Sequence, residues 1–243
     1  VKSSEIKYKK PAIIEAVFEL RFESISNWEI GSFVKFAELA KQNGFPIMRD
    51  SPQQFQVVFN PNREPITNKA ASHIQTWNEQ ETQLWQAGNS LYAANQREPY
   101  QGWQVFKPHI LKGFELFEDV ANPKIAEILT LRYINRLVLD EKEDPNSLFW
   151  LLPSGIKFSD NLLKFASKIE YGFENNERIV ITCAKDISQE TENAIILDIL
   201  YVKPKPQLER IKLEKTIEKI HNRIVDKFEN SIKDELRKKM EVL

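Results

Sequence analysis

One cysteine, three histidines and seven glycines in 243 residues leave little material for several common chemistries. A lone thiol, Cys183, excludes an intrachain disulfide, and its place in the alternating run Ile179, Ile181, Cys183 reads as a buried structural thiol with no neighbouring histidine to activate it. His73, His109 and His221 stand in separate segments without metal-ligand spacing, so no metal is expected. None of the glycines builds a phosphate-cradling loop and no serine sits in a nucleophile elbow, so no cofactor is expected either. Apolar runs stay far below the roughly 20 residues of a membrane span, and no signal-peptide pattern opens the sequence. The expectation is a cytoplasmic protein without membrane contact. Charge of one sign is also missing: 34 Lys and Arg face 35 Asp and Glu, a net charge of -1. That balance argues against a dedicated polyanion binder, and the basic lead-in of Lys2, Lys7, Lys9 and Lys10 reads as a solvated end, so nucleic acid is not an expected partner.

What is present is a 42% hydrophobic composition, enough to bury a core, arranged mostly in alternating runs. The run Leu131 to Leu139 predicts a strand with Leu131, Tyr133, Asn135, Leu137 and Leu139 on one face and Arg132, Ile134, Arg136 and Val138 on the other. Two arginines on one face of an apolar strand call for carboxylates. The run Ile14 to Phe22 supplies them, with Glu15, Val17, Glu19 and Arg21 on one face and Ile14, Ala16, Phe18, Leu20 and Phe22 on the other. The candidate charged cluster is therefore Glu15, Glu19, Arg132 and Arg136, with at least one arginine–carboxylate hydrogen bond. Asp198 interrupts an apolar run from Ile195 to Leu200 and calls for a cation or a backbone donor from a neighbouring strand.

Around these strands, Ser26 to Glu29 matches a capping box opening a helix with Ile30, Phe33, Ala37 and Ala40 on one face and Gly44 just past its end. A short strand is predicted at Phe55, Val57 and Phe59. Runs at 74–77, 82–87 and 91–96 predict a meander with a tight turn at Gly88-Asn89. Pro108 belongs in a first helical turn, placing a helix start close to 104–108, followed by Phe106, Ile110, Phe114 and Phe117 on one face. The acidic run 140–144 reads as a solvated loop rather than a metal site. Asp144-Pro145 caps a short helix, and strands follow at 165–173, 178–184 and 195–202, the first two joined tightly at Asn175-Asn176. From Leu208 to Met240 no glycine or proline interrupts an apolar periodicity, predicting one continuous helix of roughly 45 Å. Such a helix offers more face than a small sheet covers, so Ile224, Phe228, Ile232 and Leu236 are candidate partner-binding residues for a protein partner or homo-oligomer. A clasp across both sheet halves is the alternative.

The predicted fold is α+β, with antiparallel sheets in two pseudo-repeated strand-helix-strands-helix halves, 1–122 and 123–243, packed as one unit with a long C-terminal helix. The segments Pro11 to Phe22, Tyr100-Gln101-Gly102-Trp103, Leu131 to Arg136 and Ser231 to Leu236 together resemble a sporadically distributed family of uncharacterised prokaryotic proteins of about this length. The likeness covers nearly the whole chain, departing where Pro11-Ala12 stands for two prolines. It implies no catalytic residues, and its patchy distribution suits a mobile or defence-associated gene.

Two functional expectations follow. The first is a non-catalytic binding or assembly protein acting through its long helix and aromatic surface. The second is an enzyme or anionic-ligand sensor built on the charged cluster. Glu19, Arg21 and Glu23 share a strand face as charges do in triphosphate-processing tunnels, but the lysine expected at the third position of such a strand is absent.

Overall fold

The computed structural model describes residues 8–25, 28–50, 56–58, 66–68, 73–140, 143–152, 164–186 and 193–242. In chain order these form β1 (Ile13–Arg21), α1 (Ile30–Gln42), β2 (Ile47–Asp50), β3 (Gln56–Val58), β4 (Ile66–Asn68), β5 (His73–Trp77), β6 (Gln83–Gly88), β7 (Leu91–Arg97), α2 (Trp103–Ala121), β8 (Ile128–Val138), β9 (Ala166–Gly172), β10 (Arg178–Lys185), β11 (Ala194–Pro204), α3 (Arg210–Ser231) and α4 (Asp234–Met240). The strands β3 and β4 pair with each other. The other nine form one antiparallel sheet in the order β2-β5-β6-β7-β1-β8-β11-β10-β9. The fold is α+β, with a long C-terminal helix.

Alternation along the central strands decides which face is dry. Register aligns Trp85, Ala94, Phe18, Leu131, Tyr201 and Ile179 in one row across β6, β7, β1, β8, β11 and β10, and all six are buried. The helices lie on this face. From β6 the Trp85 indole donates to the His109 carbonyl of α2 (3.0 Å), and from β7 the Tyr92 hydroxyl donates to the Ile110 carbonyl (2.7 Å). Phe106, Ile110, Phe114 and Phe117 are buried against the sheet as their spacing predicts. Tyr133 of β8 hydrogen-bonds His221 of α3. Beyond α1, whose Phe36 and Ala40 are buried, Phe45 stacks on Trp85 with centroids 3.8 Å apart.

Several boundaries differ from expectation. A capping box is made by Glu29 and Ser32; Ser26, Phe55 and Phe59, on which expectations fell, lie outside the described residues. Ile30 is exposed, so the helix turns Phe36 inward instead. Gly44 has the expected positive φ of 90°, which a side chain would strain. The β6–β7 turn falls at Asn89-Ser90, one residue later than predicted. Pro108 lies in the second turn of α2, because Gly102 at φ 93° lets the helix begin at Trp103. Asp144 does cap the following segment, but as a single 3-10 turn, Pro145–Ser147.

The largest correction concerns the C-terminal helix, which is broken. Ile232 is extended (φ -107°, ψ 155°), buried and bridged to Phe149. The Trp150 amide donates to the Ser231 carbonyl (2.9 Å) and the Lys233 amide to the Leu148 carbonyl (2.8 Å). Arg237 of α4 then folds back, donating to the backbone carbonyl of Glu229 (2.5 Å) and to its carboxylate (3.1 Å). Tertiary strand pairing plus an arginine on the orphan carbonyls outcompetes helix propagation here, which explains a stop without glycine or proline. Ile224, Ile232 and Leu236 are 2%, 0% and 0% exposed, and Phe228 packs partly buried against the same core. Three of the four candidate partner-binding residues therefore lie in the protein's own interior, with Phe228 at its margin.

Candidate functional site

The sheet face opposite α1, α2 and α3 carries the polar chemistry. Register places Arg132 of β8 directly across from Val17 of β1, with Glu15 and Glu19 two residues to either side, so all three charges share this face. The expected hydrogen bond between them does not form. Arg132 makes a two-pronged pair with Asp198 of β11, Nε to Oδ1 at 2.8 Å and Nη2 to Oδ2 at 2.7 Å. Arg136 Nε donates to Asp186, just beyond β10, at 2.7 Å. The planar guanidinium matches a carboxylate that can offer both oxygens, and Asp198 lies one diagonal step away on the neighbouring strand. Glu15 instead accepts from Asn95 (2.8 Å) and Glu19 from Arg21 (2.7 Å). Both glutamates still act at a distance. Hydrogen bonding from Asp198 chiefly, then the fields of Glu15 and Glu19, outweigh partial burial and raise the Arg132 pKa.

A ladder of hydrogen bonds extends the site across the sheet. The Asn95 side chain accepts from Gln86 Nε2 (3.0 Å), and the Gln86 side-chain Oε1 meets His73 Nε2 (3.1 Å) and accepts from Gln75 Nε2 (3.3 Å). Between the polar rungs, Val17, Ile134, Leu200 and Val180 are partly exposed. The expected pairing of Asp198 is present, with its side chain 17% exposed against 43% for Arg132. Breaking a fully buried pair costs roughly 3–5 kcal/mol, but a half-exposed guanidinium is screened by water. Asp198→Asn should therefore lower stability by about 1–2 kcal/mol in urea unfolding, and Arg132→Met by at least as much, because it leaves the less exposed carboxylate unpaired. Unchanged midpoints would show that the pair contributes nothing.

Two further clusters lie on the helix side. The first gathers Tyr100 and Trp103 with Tyr133, residues of two separate sequence motifs, around His221. Trp103 stacks on the His221 ring (4.2 Å, 6°), and Tyr133 hydrogen-bonds His221 Nδ1 (2.9 Å). The Trp103 indole and Lys107 both donate to Glu218 Oε2 at 3.0 Å. Burial pushes the His221 pKa down to about 4, so the ring is neutral at pH 7 and serves as a stacked spacer between α2 and α3. The second centres on Glu177. Glu177, 9% exposed, receives Lys203 (2.5 Å), Arg223 (3.0 Å) and the Tyr201 hydroxyl. Burial alone would raise the Glu177 pKa, but the hydrogen bonds of Lys203 and Tyr201 and the fields of Lys203 and Arg223 prevail and lower it. No local signal marks Glu177, since its partners lie in β11 and α3.

Cys183 is buried, and desolvation pushes its thiol up to about 12, far from a reactive thiolate. Within the acidic run, Asp140 and Glu143 pair with Lys239, while residues 141 and 142 lie outside the described ones. Among the described residues no three His, Cys, Asp or Glu side chains converge as a metal site. No described helix is long and apolar enough to cross a membrane. No protein-family model matches the chain, and no curated protein matches it.

Proposed function

We propose that the protein is a non-catalytic binding or assembly protein that receives a protein partner on the sheet face opposite its helices. The observation that carries this reading is the central row Val17, Arg132, Leu200 and Val180, partly exposed, in which apolar side chains alternate with a charge already satisfied by Asp198. A docking surface of this kind buries apolar area without desolvating an unpaired ion, and the paired charges set register and specificity. The burial of Ile224, Ile232 and Leu236 moves the partner surface away from the C-terminal helices. A mobile or defence-associated setting is the one the family resemblance implies, and a cytoplasmic location goes with this reading.

The order of strands supports two pseudo-repeated halves behind this surface. Reading outward from the centre, β1-β7-β6-β5 on one side matches β8-β11-β10-β9 on the other, with α2 following β7 as α3 follows β11. The antiparallel β1–β8 pair would then be the seam between the halves.

An anionic-ligand site on Arg132 and Arg136 is the weaker reading, because both guanidinium groups already hold carboxylates and Glu15 and Glu19 add negative charge beside Arg132. A photo-crosslinking residue in place of Val180 should give one discrete crosslinked product in cells, and the same residue in place of Lys219 on α3 should give none. Equal crosslinking from both positions, or none from Val180, would refute the reading. Inorganic phosphate at millimolar concentration should leave the melting temperature unchanged, and a saturable rise would favour the anion site instead.

A further inference from the structure

The sheet ends at β9, whose sole strand neighbour among the described residues is β10. Register pairs residues of β9 and β10 in sequence from Gly172 with Arg178 to Ala166 with Ala184. On that same register the Phe173 amide donates to the Glu177 carbonyl (2.8 Å) and the Lys185 amide to the Phe165 carbonyl (3.2 Å). Antiparallel strands alternate, each residue sending both backbone polar groups to one side. Odd-numbered residues from 165 to 173 therefore face β10. Ala166, Lys168, Glu170 and Gly172 direct their N–H and C=O groups outward, along the edge that no strand covers among the described residues. Unpaired edges of this kind are templates for another strand.

Sequence decides which strand fits. Consider β9 against a second β9, antiparallel about a two-fold axis. Registers that oppose an outward-facing residue to an inward-facing one make no ladder, so only an even residue may oppose an even residue. An axis at position 168 sets Lys168 against its own copy, and an axis at position 170 does the same for Glu170. Like charges directly opposite are destabilising. Axes at 167 and 171 set Lys168 or Glu170 against Ala166 or Gly172, and only the axis at Ile169 matches both charges within the strand: Lys168 of each copy lies opposite Glu170 of the other, and Ala166 lies opposite Gly172. Both charged pairs are then the hydrogen-bonded pairs, Ile169 meets Ile169 in the closer non-hydrogen-bonded position, and Ser167 meets Tyr171. Lys168 has no ion-pair partner among the described residues, and Glu170 shares its charge only with half-exposed Arg178 at 3.3 Å. Lysine on an edge usually blocks pairing. Glutamate two residues on converts that block into a register selector.

We infer that β9 is a homodimerisation edge, pairing with β9 of a second copy about a two-fold axis at Ile169 and joining the two sheets into one. This interface is separate from the face assigned to another protein, and either stands if the other falls.

Sedimentation of the full chain should show a concentration-dependent dimer. Lys168→Glu should weaken it at least about tenfold by setting a second carboxylate against Glu170, and the swapped double variant Lys168→Glu, Glu170→Lys should restore it. Ile169→Cys should oxidise to a covalent dimer, because cross-strand partners in the non-hydrogen-bonded position lie about 4.5 Å apart at Cα. Lys168→Cys should not, since its own copy is displaced by two residues. A wild-type monomer at all concentrations, failure of the double variant to restore association, or disulfide formation through position 168 rather than 169 would each overturn the inference.

Discussion

Acidification from about pH 7 to about pH 4 is expected to remove on the order of 5 kcal/mol of folding stability, chiefly through two desolvated histidines. His109 is held under Trp85 and Phe45 with its Nε2 at the Leu84 carbonyl, and desolvation pushes its pKa to about 4. His221 reaches about 4 for the same reason, the nearby Glu218 opposing the shift only in part. In the unfolded chain both rings take up a proton near pH 6.5, whereas in the fold they stay neutral until about pH 4. Between those values the unfolded state binds more protons, so stability falls as the pH falls. Glu177 continues the trend lower down. Its depressed pKa contributes stability that is present above the ordinary carboxylate range and is lost as pH drops through the lowered value. Urea unfolding across this range measures the slope. His109→Gln and His221→Gln should each flatten it by about half, whatever they do to stability at pH 7. A slope unchanged in both variants would contradict the assignment.

Gly113→Ala is the single substitution expected to cost most for its size. Helix propensity predicts a gain of about 1 kcal/mol from replacing a mid-helix glycine. Space predicts the reverse. A Cβ at Gly113 would lie well inside van der Waals contact of the Trp85 indole nitrogen, its adjacent ring carbon and the Tyr92 hydroxyl. Neither ring is free to retreat, since each donates to a carbonyl of α2 and Phe45 closes over Trp85. Separating α2 from the sheet strains the packing and breaks both hydrogen bonds, for a net loss of about 3 kcal/mol after the propensity gain. At this chain length that lowers the melting temperature by about 6–12 °C. A stabilised variant would mean that α2 can slide, and that its aromatic face is less tightly seated than the distances imply.

Local pattern was enough to orient the strands. Alternation in Ile14 to Phe22 and in Leu131 to Leu139 assigns buried and half-exposed faces that the sheet reproduces, and the meander follows from its turns. Partners were harder to read. Arg132 demands a carboxylate and Asp198 demands a cation, and both demands are visible locally. Matching them requires knowing that β11 lies beside β8, a pairing made across 66 residues of chain. Position 232 shows the converse limit. Its periodicity favours helix, and only the arrival of Phe149 and Arg237 makes an extended residue cheaper. Glu177 carries no mark at all, because its environment is assembled from a turn, a strand and a helix.

The central position of β1 has a cost during synthesis. This strand leaves the ribosome before every other strand of its sheet, yet its two neighbours are residues 91–97 and 128–138. At about 5–20 residues per second, the 70 residues separating Arg21 from Leu91 take roughly 4–14 s to appear. Throughout that interval Ala16, Phe18, Leu20 and Phe22, all destined for the core, have no partner strand to cover them. Nascent chains on one messenger can pair through such a stretch. Lys7, Lys9 and Lys10 immediately before it give neighbouring copies a shared positive charge, and flanking charge of this kind disfavours the pairing of exposed apolar stretches.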